Sequence, residues 1–375
     1  MLSDDQRARY DRHLRLASFG EEAQERLLAG SVLIIGAGGL GSPALLYLAA
    51  AGVGRIGIVD DDVVDRSNLQ RQVVHRDCDV GTAKAVSAAR AVTERNPGVA
   101  VDVHEVRLHE NNVRDLLQGY DVVIDGSDNF TTRYLVNDAA VLTGVPVVHG
   151  SIQQFDGQVS VFAADNGPCY RCLFPDPPPR GTVPSCSQAG VLGVLPGTIG
   201  SVQATEAIKL LTGLGEPLIG RLLRYDALRM TWSELRLPRD PDCPVCGEQR
   251  TITDVTQVED VVCNVPALLR LSAQDYDRMR ARGEDHLLLD VREHSEVAAG
   301  HIPGHKHVPL GELRDRMAEL EGWRDRLIVC QCHRGGRSLE AAEVLSELGF
   351  TRLANLEGGY LDWRRWTQEG VSTGL

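Results

Sequence analysis

The sequence lacks the features by which a protein engages a membrane or a nucleic acid. Its apolar runs all fall short of the roughly 18 residues that a membrane-spanning helix needs. Its net charge of −13 at pH 7 provides no basic surface for nucleic acid or anionic lipid. The first residues, MLSDDQRARYDRHLRL, lack the apolar core of a secretory signal. We therefore expect a cytoplasmic protein without a membrane or nucleic-acid partner.

Lysine is scarce, whereas cysteine is not. Among 39 basic residues only Lys84, Lys209 and Lys306 are lysines. Each is a candidate for a site that needs a compact ammonium group, although isolated lysines also arise by chance. Nine cysteines are present, which is an odd number. In a cytoplasmic chain cysteines serve more often as metal ligands or reactive thiols than in disulfides.

The 375 residues are enough for two or three domains. Apolar strands alternate with helices from SVLIIGAGGLG to VPVVHGS, which predicts an α/β fold with a Rossmann-like, doubly wound, mostly parallel sheet. A proline- and glycine-rich stretch over 165–196 and a helix ending at Gly213 follow, and the polar segment TITDVTQVEDVV indicates a linker. We assign a first domain to 1–250, a linker to 251–263 and a smaller α/β domain to 264–375.

A glycine-rich turn joins the first predicted strand to the first helix of the sheet. GAGGLG matches the pattern G-x-G-x-x-G at Gly36, Gly38 and Gly41. The glycines permit a tight turn and a close approach of phosphate, and the helix N-terminus attracts the anion. Asp60 ends the next strand, where an acid that binds ribose belongs. Taken alone, this pattern also fits an NAD-dependent dehydrogenase.

Charged and polar residues downstream favour a triphosphate over a dinucleotide. They are Asn68, Arg71, Gln72, Lys84, Asp128 and Asn129. Cations neutralise phosphates and carboxylates hold magnesium, whereas a nicotinamide cofactor needs neither. The alternative for the acids at 60–62 is a solvated acidic turn.

Two C-x-x-C pairs, Cys169 with Cys172 and Cys243 with Cys246, are candidate metal ligands. Four thiolates make a closed tetrahedral zinc site, which is structural because no position stays open. The loop between the pairs is longer than in a zinc ribbon, so the spacing alone does not establish that they meet. The alternatives are a redox pair and four free thiols.

The segment CHRGGRS forms a second candidate site between a strand and a helix. We call residues 332–337 the sulfur loop. Its backbone N–H groups and the helix dipole converge on Cys332, and Arg334 and Arg337 add positive charge. These features favour a thiolate or a persulfide anion at Cys332. Cys330 lies on the preceding strand and is expected to point into the core, the alternative being a resolving thiol.

Residues 1–250 resemble the adenylyltransferases that activate ubiquitin-like sulfur carriers, the MoeB/ThiF family related to ubiquitin-activating enzymes. The motifs are RYDRH, GAGGLG, DDDVVDRSNLQRQ, GTAK, DGSDN and AGVLGVLPGTIGSVQATEAIKLL. The resemblance implies ATP and magnesium, with Gly39 near the phosphates, Asp60 at the ribose and Asp128 at the metal. It implies that Arg12 reaches into the partner protomer's site of a homodimer, the alternative being a solvated helix arginine. Further implied nucleotide-binding residues are Asp62, Ser67, Asn68, Leu69, Gln70, Arg71, Lys84 and Asn129. Arg71 and Asp128 are also implied to act in catalysis.

Residues 264–375 resemble a rhodanese domain through LLLDVREHSEVAAGHIPGHKHVPLGEL, CHRGGRS and ANLEGGYLDWRRW. In this family a six-residue loop, here Cys332 to Arg337, is associated with sulfur transfer. The related phosphatases place five residues between cysteine and arginine. Counting from Cys330 puts Gly336 where that arginine would be, which disfavours a phosphatase.

Together the two parts resemble fused adenylyltransferase/sulfurtransferases. The resemblance implies that ATP adenylates the C-terminal Gly-Gly tail of a carrier. A Cys332 persulfide, loaded from a donor such as a cysteine desulfurase or thiosulfate, would attack the adenylate. Cys186, in PSCSQAG, matches a loop cysteine that would resolve the acyl disulfide to release a carrier thiocarboxylate, the alternative being a small buried thiol. Two other classes stay open, a dehydrogenase with an accessory rhodanese domain and a non-catalytic scaffold for carriers.

Overall fold

The computed structural model describes residues 1–164, 167–177, 190–255 and 268–372. The chain divides into two compact units, Met1–Val261 and Val262–Leu375. Each is described by itself below.

The first unit is built from helices packed on one eight-stranded sheet. Its helices are α1 (Asp4–Arg9), α2 (Asp11–Leu14), α3 (Gly20–Ala29), α4 (Gly41–Ala51), α5 (Lys84–Arg95), α6 (Val113–Gln118), α7 (Phe130–Thr143), α8 (Tyr170–Leu173) and α9 (Leu195–Thr212). Its strands are β1 (Ser31–Ile35), β2 (Arg55–Val59), β3 (Ala100–His104), β4 (Val122–Asp125), β5 (Val147–Gln153), β6 (Asp156–Phe162), β7 (Arg221–Asp226) and β8 (Thr231–Arg236).

The strand order β3-β2-β1-β4-β5-β6-β7-β8 reverses direction at β1. The first five strands pair in parallel, and Ile35 at the end of β1 lies opposite Val59 of β2 and Asp125 of β4. Ligands of open α/β sheets bind beyond the carboxyl ends of strands at such a reversal. The register therefore brings the segments after Ile35, Val59 and Asp125 to one crevice.

The hydrophobic pattern accounts for the parallel part of the sheet. β1 is buried at all five positions and α4 is apolar on nearly every side, as expected for elements covered on both faces. By contrast, the antiparallel extension β6–β8 was not predicted, and all six residues of β8 are exposed. The helix that we predicted to end at Gly213 begins at Leu195, where Pro196 occupies the first turn without needing an N–H partner.

The second unit has a five-stranded parallel sheet in the order β11-β10-β12-β13-β9. The strands are β9 (Leu269–Leu271), β10 (His286–Asp290), β11 (His305–His307), β12 (Leu327–Gln331) and β13 (Leu353–Leu356). The helices are α10 (Ala273–Ala281), α11 (His294–Ala298), α12 (Gly336–Glu347) and α13 (Gly359–Ser372). The central strand β12 delivers the sulfur loop at its carboxyl end. The predicted α/β class with parallel-rich sheets is confirmed for both units.

Within the described ranges, no helix combines the length and the apolar character needed to cross a bilayer.

Candidate functional site

The glycine loop between β1 and α4 is packed too closely for side chains at two positions. Gly36 has a φ of +88°, a left-handed conformation that glycine adopts without strain. A Cβ on Gly41 would lie much closer than 3.0 Å to the Gly36 carbonyl oxygen. Real Cβ atoms essentially never come closer than 3.0 Å to another heavy atom. Gly39 instead faces Pro196, whose Cβ would be 3.1 Å from an added Cβ. The loop thus brings the N-terminus of α4 to the crevice as bare backbone, which is the arrangement that binds phosphate.

Asp60 secures this loop from the end of β2. Its carboxylate accepts hydrogen bonds from the backbone N–H of Ala37 at 2.8 Å and of Asp62 at 2.9 Å. Burial raises the pKa of Asp60, although these hydrogen bonds and Lys84 oppose the shift. One carboxylate therefore orders both the glycine loop and the acidic turn.

Lys84 and Asp62 form an ion pair at the start of α5. The Lys84 ammonium lies 2.8 Å from an Asp62 carboxylate oxygen, and its side chain is only 9% exposed, whereas that of Asp62 is 71% exposed. The Lys84 ammonium is therefore held at the rim of the crevice by a carboxylate that is accessible to solvent. Lys84 therefore lies next to the acidic turn and close enough to Asp60 to oppose the rise that burial causes in the pKa of that carboxyl.

His75 supports the same loop and was not predicted. Its Nε2 lies 2.9 Å from the carbonyl oxygen of Ala37, and its Nδ1 lies 2.9 Å from the hydroxyl of Ser87. Burial lowers the pKa of this histidine, so the neutral ring is favoured. Nothing in the local sequence marks His75, because its partner is 38 residues away in the chain.

The segment after the acidic turn forms a 3-10 helix, Arg66–Asn68, capped by Asp65. Arg71 follows it and donates a hydrogen bond from Nη1 to the Ser67 carbonyl at 3.2 Å. Leu69 is half-buried, and an added Cβ on Gly193 would clash with both Gln70 oxygens. Arg71 is also the neighbour of Gly39, because its Cγ would lie 3.8 Å from an added Cβ there. Of the predicted residues 67–71, Arg71 therefore lies against the glycine loop, and its hydrogen bond to Ser67 ties it to the 3-10 helix.

Asp128 and Asn129 lie between β4 and α7. Asn129 caps α7, because its side-chain oxygen accepts the Thr132 N–H at 2.8 Å. Asp128 is exposed next to it. A single exposed carboxylate fits magnesium only together with phosphate oxygens and water, which is how this ion is usually bound.

A buried hydrogen-bonded pair, Asp125 and His149, holds the strand end from which Asp128 projects, and burial lowers the pKa of His149, which favours its neutral ring. Asp125 accepts hydrogen bonds from the Ser127 N–H at 3.0 Å and hydroxyl at 2.6 Å, and its other oxygen lies 3.1 Å from His149 Nδ1. Burial by itself raises the pKa of Asp125, but the hydrogen bonds of His149 and Ser127 outweigh it and lower that pKa. The loop carrying Asp128 is therefore anchored by an ionised carboxylate.

Arg12 lies on α2 and points away from the chain. Its side chain is 86% exposed, and its nearest acidic partner is the adjacent Asp11 at 4.0 Å. Such an arginine is free to reach a neighbouring molecule.

The four predicted cysteine ligands meet in one cluster. Their sulfur atoms all lie within 4.8 Å of one another, with Cys169 to Cys243 at 3.5 Å and Cys172 to Cys246 at 3.4 Å. A tetrahedron with zinc–sulfur bonds of about 2.3 Å has edges of about 3.8 Å, so this donor set fits zinc. Backbone N–H groups of Cys169 and Asp240 point at Cys172 Sγ, each at 3.4 Å, as they do toward metal-bound thiolates.

In the second unit, Cys332 begins the sulfur loop, and the rest of the loop folds around its sulfur atom. Its sulfur accepts hydrogen bonds from the Gly335 N–H at 3.1 Å and the Ser338 hydroxyl at 3.4 Å. Gly335 has a φ of +98° and directs its N–H inward at the start of α12. Beneath the loop, Gly359 comes so close to the Cys332 carbonyl that no Cβ would fit. The loop therefore surrounds the sulfur with preformed hydrogen-bond donors, and Cys332 as a whole is 2% exposed.

Arg337 and Cys330, which were also singled out in this region, behave differently. Arg337 makes a two-pronged ion pair with Glu296 instead of turning onto Cys332. Cys330 is fully buried in the core of the unit, where burial raises its pKa to about 12. Cys330 therefore lies in the core, as expected from its place on the strand. Cys186 lies outside the described residues.

Comparison with known proteins identifies the class. The family model described as "ThiF family" matches residues 10–245, and the model described as "Rhodanese-like domain" matches residues 272–365. The chain belongs to the ThiF family and carries a rhodanese-like domain after its ThiF domain.

Similar proteins share this arrangement in whole or in part. The "Probable adenylyltransferase/sulfurtransferase MoeZ" of Mycobacterium tuberculosis is 46% identical over 375 residues, covering 98% of this chain and 95% of that protein. The "Sulfur carrier protein adenylyltransferase" of Thermus thermophilus is 54% identical over 256 residues, covering 67% of this chain and 94% of that protein. Among solved structures, E. coli MccB with ATP superposes with a TM-score of 0.57 at 21% identity, over 64% of this chain and 74% of that one, which shows the shared fold.

Proposed function

We propose that this protein is an adenylyltransferase and sulfurtransferase that converts the C-terminal glycine of a ubiquitin-like sulfur carrier into a thiocarboxylate. The observation that carries the proposal is the presence, in one chain, of a glycine-loop crevice and a preformed sulfur loop around Cys332. The MoeZ relative, whose name combines both activities, matches nearly the whole chain.

In the adenylation half, ATP binds with its phosphates at the N-terminus of α4. Asp60 contacts the ribose, and Lys84, Arg71 and Asn68 contact the phosphates. The carrier carboxylate attacks the α-phosphorus, and pyrophosphate leaves with the bonding electron pair. Asp128 would hold a magnesium ion, which would supply charge neutralisation at the phosphates. ATP displaces Asp62 from Lys84, and this costs little free energy because the exposed Asp62 carboxylate can be solvated by water instead.

In the sulfur half, the Cys332 thiolate takes one sulfur atom from a donor and becomes a persulfide. The outer sulfur attacks the acyl carbon of the adenylate, and AMP leaves. The Cys186 thiolate then attacks Sγ of Cys332, which releases the thiocarboxylate and leaves a Cys186–Cys332 disulfide for an external dithiol to reduce. The donors around Cys332 favour the anionic sulfur at each stage.

Further parts of the proposal concern the assembly. The cysteine cluster binds one structural zinc ion that ties α8 to residues 243–246. Arg12 completes the nucleotide site of the partner in a homodimer. Residues 251–263 link the two domains, and a cysteine desulfurase or thiosulfate supplies the sulfur. We place the reaction in the cytoplasm, because it consumes ATP and needs reduced thiols.

The test is ATP–pyrophosphate exchange with purified carriers that end in Gly-Gly, followed by addition of thiosulfate and mass spectrometry of the carrier. We expect exchange with at least one carrier and then a mass increase that equals replacement of oxygen by sulfur. Cys332→Ala should abolish the mass shift and keep exchange, whereas Asp128→Ala should abolish exchange and keep sulfur loading of Cys332.

Cys330→Ala is the matched control, because this cysteine lies two residues away but is buried in the core. It should keep both activities, and loss of sulfur transfer would instead make Cys330 a resolving thiol. Loss of exchange in Cys332→Ala would contradict the division of labour, and absence of exchange with every carrier would favour a non-catalytic scaffold.

A further inference from the structure

The arginine that closes the sulfur loop is bound to a carboxylate outside that loop. Arg337 Nη1 lies 2.6 Å from Glu296 Oε2, and Arg337 Nη2 lies 2.7 Å from Glu296 Oε1. Glu296 belongs to α11 and also accepts the Glu293 N–H at 3.0 Å. Bidentate pairs of this kind are among the stronger and more directional ion pairs. Arg337 is therefore held by a carboxylate that is itself fixed to its helix.

This pair changes the charge that an incoming sulfur donor meets. Arg337 and Glu296 together are neutral, so the loop's remaining attraction for anions comes from backbone N–H groups, the Ser338 hydroxyl and the exposed Arg334. Glu293, which is exposed at the N-terminal cap of α11, adds a second negative charge near Arg337. The hydrogen bonds from Arg337 lower the pKa of Glu296 to about 2, so the carboxylate stays charged at every physiological pH.

Small sulfur donors differ in their need for positive charge. Thiosulfate is a dianion, and its reaction with the Cys332 thiolate forms a new S–S bond, breaks the thiosulfate S–S bond and releases sulfite with the electron pair. Three negative charges therefore meet at the loop. A persulfide presented on a cysteine of a donor protein brings one negative charge or none. A carboxylate beside the loop opposes the first donor more strongly than the second.

We propose that Glu296 is a specificity-determining residue for the sulfur loop. By keeping Arg337 paired and unavailable to an incoming anion, Glu296 favours protein-borne persulfides over thiosulfate as donors. The inference rests on the proposed sulfur transfer to Cys332. Glu296 does not touch the reacting atoms, because its effect passes through Arg337. The side chains are 29% and 35% exposed, respectively, so Arg337 is free to turn toward an anion once the carboxylate is neutralised.

The experiment compares the wild-type full-length protein with Glu296→Gln. Glutamine keeps an oxygen for the Glu293 N–H and removes the negative charge. Two donors are used, thiosulfate as a dianion and benzenethiosulfonate as a monoanion, with cyanide as the acceptor and thiocyanate as the measured product. In this two-step reaction kcat/KM for the donor reports the loading of Cys332 alone. We expect kcat/KM to rise about tenfold for thiosulfate and about threefold for benzenethiosulfonate, in proportion to donor charge.

Two further variants separate an electrostatic role from a structural one. Glu340→Gln removes an exposed carboxylate one turn along α12 and should leave both values within about twofold of wild type. Arg337→Ala combined with Glu296→Gln should lose the gain seen in Glu296→Gln, because the arginine is then absent. High salt should shrink the gain, since exposed charges are screened.

Equal losses for both donors in Glu296→Gln would make Glu296 a structural support of the loop and overturn the inference, as would unchanged values. If the wild-type protein loads Cys332 from neither donor nor from a persulfidated cysteine desulfurase, the proposed sulfur transfer itself fails, and this inference fails with it. Loading from the desulfurase with a selective gain for thiosulfate in Glu296→Gln would support both.

Discussion

The replacement of Gly41 by alanine tests whether the glycine loop is as tightly closed as the structure shows. Gly41 is the first residue of α4, and an added Cβ would lie much closer than 3.0 Å to the Gly36 carbonyl oxygen. Ile34 Cγ2 lies 3.4 Å from the same position. The obstacle is backbone, not a flexible side chain, so the loop or the helix must move.

The expected magnitude follows from two opposing effects. Overpacking of a well-packed site costs about 1–3 kcal/mol when side chains can adjust, and we expect the upper end or more here because a carbonyl cannot adjust. Alanine gains up to about 1 kcal/mol over glycine inside a helix. The net loss in the free energy of unfolding is therefore about 2–3 kcal/mol. At about 2–4 °C per kcal/mol for a unit of this size, the Tm should fall by about 5–10 °C.

Gly197→Ala is the matched control, because Gly197 also lies in the first turn of a helix, α9. An added Cβ there would meet none of the described residues within 4 Å, so the Tm should stay the same or rise slightly. The assay is differential scanning calorimetry of the three full-length proteins, together with ATP–pyrophosphate exchange. If Gly41→Ala melts within about 2 °C of wild type, the cost is under about 1 kcal/mol and the close contact with Gly36 is refuted.

Two further predictions concern zinc and pH. Wild-type protein should contain one zinc ion per chain by elemental analysis. Cys172→Ser should lose that ion and at least about 3 kcal/mol of stability, whereas Cys78→Ser, at an exposed cysteine, should lose neither. Full zinc content in Cys172→Ser would rule out this ligand set. Because burial lowers the pKa of His75 below its ordinary 6.5, the unfolded chain takes up a proton first as the pH falls. The stability should therefore decline below pH 6.5 by up to about 1.4 kcal/mol per pH unit for this group. His75→Gln should lower the free energy of unfolding at pH 7.5 but make its decline toward pH 5.5 less steep, as measured by urea unfolding at each pH. An unchanged slope of this free energy against pH would count against a neutral buried His75.

Much of the fold followed from local sequence. The strand-to-helix turn at residues 36–41 and the alternation of apolar strands with helices depend on backbone freedom and side-chain periodicity within a few residues, and both were predictable. The antiparallel strands β6–β8 were not predicted, and β8 in particular is exposed throughout, so it has no buried face to produce a pattern.

The candidate sites divide in the same way. The sequence by itself determined which residues were available: the glycines of residues 36–41, the paired cysteines and the sulfur loop. Only the tertiary structure decided which of them meet. The cysteine pairs converge across 74 positions, His75 reaches Ala37 across 38, and Glu296 captures Arg337 across 41. The physical reason is that hydrogen bonds and metal geometry act over a few ångströms in space, and the pairing of strands, not their spacing in the chain, sets those distances.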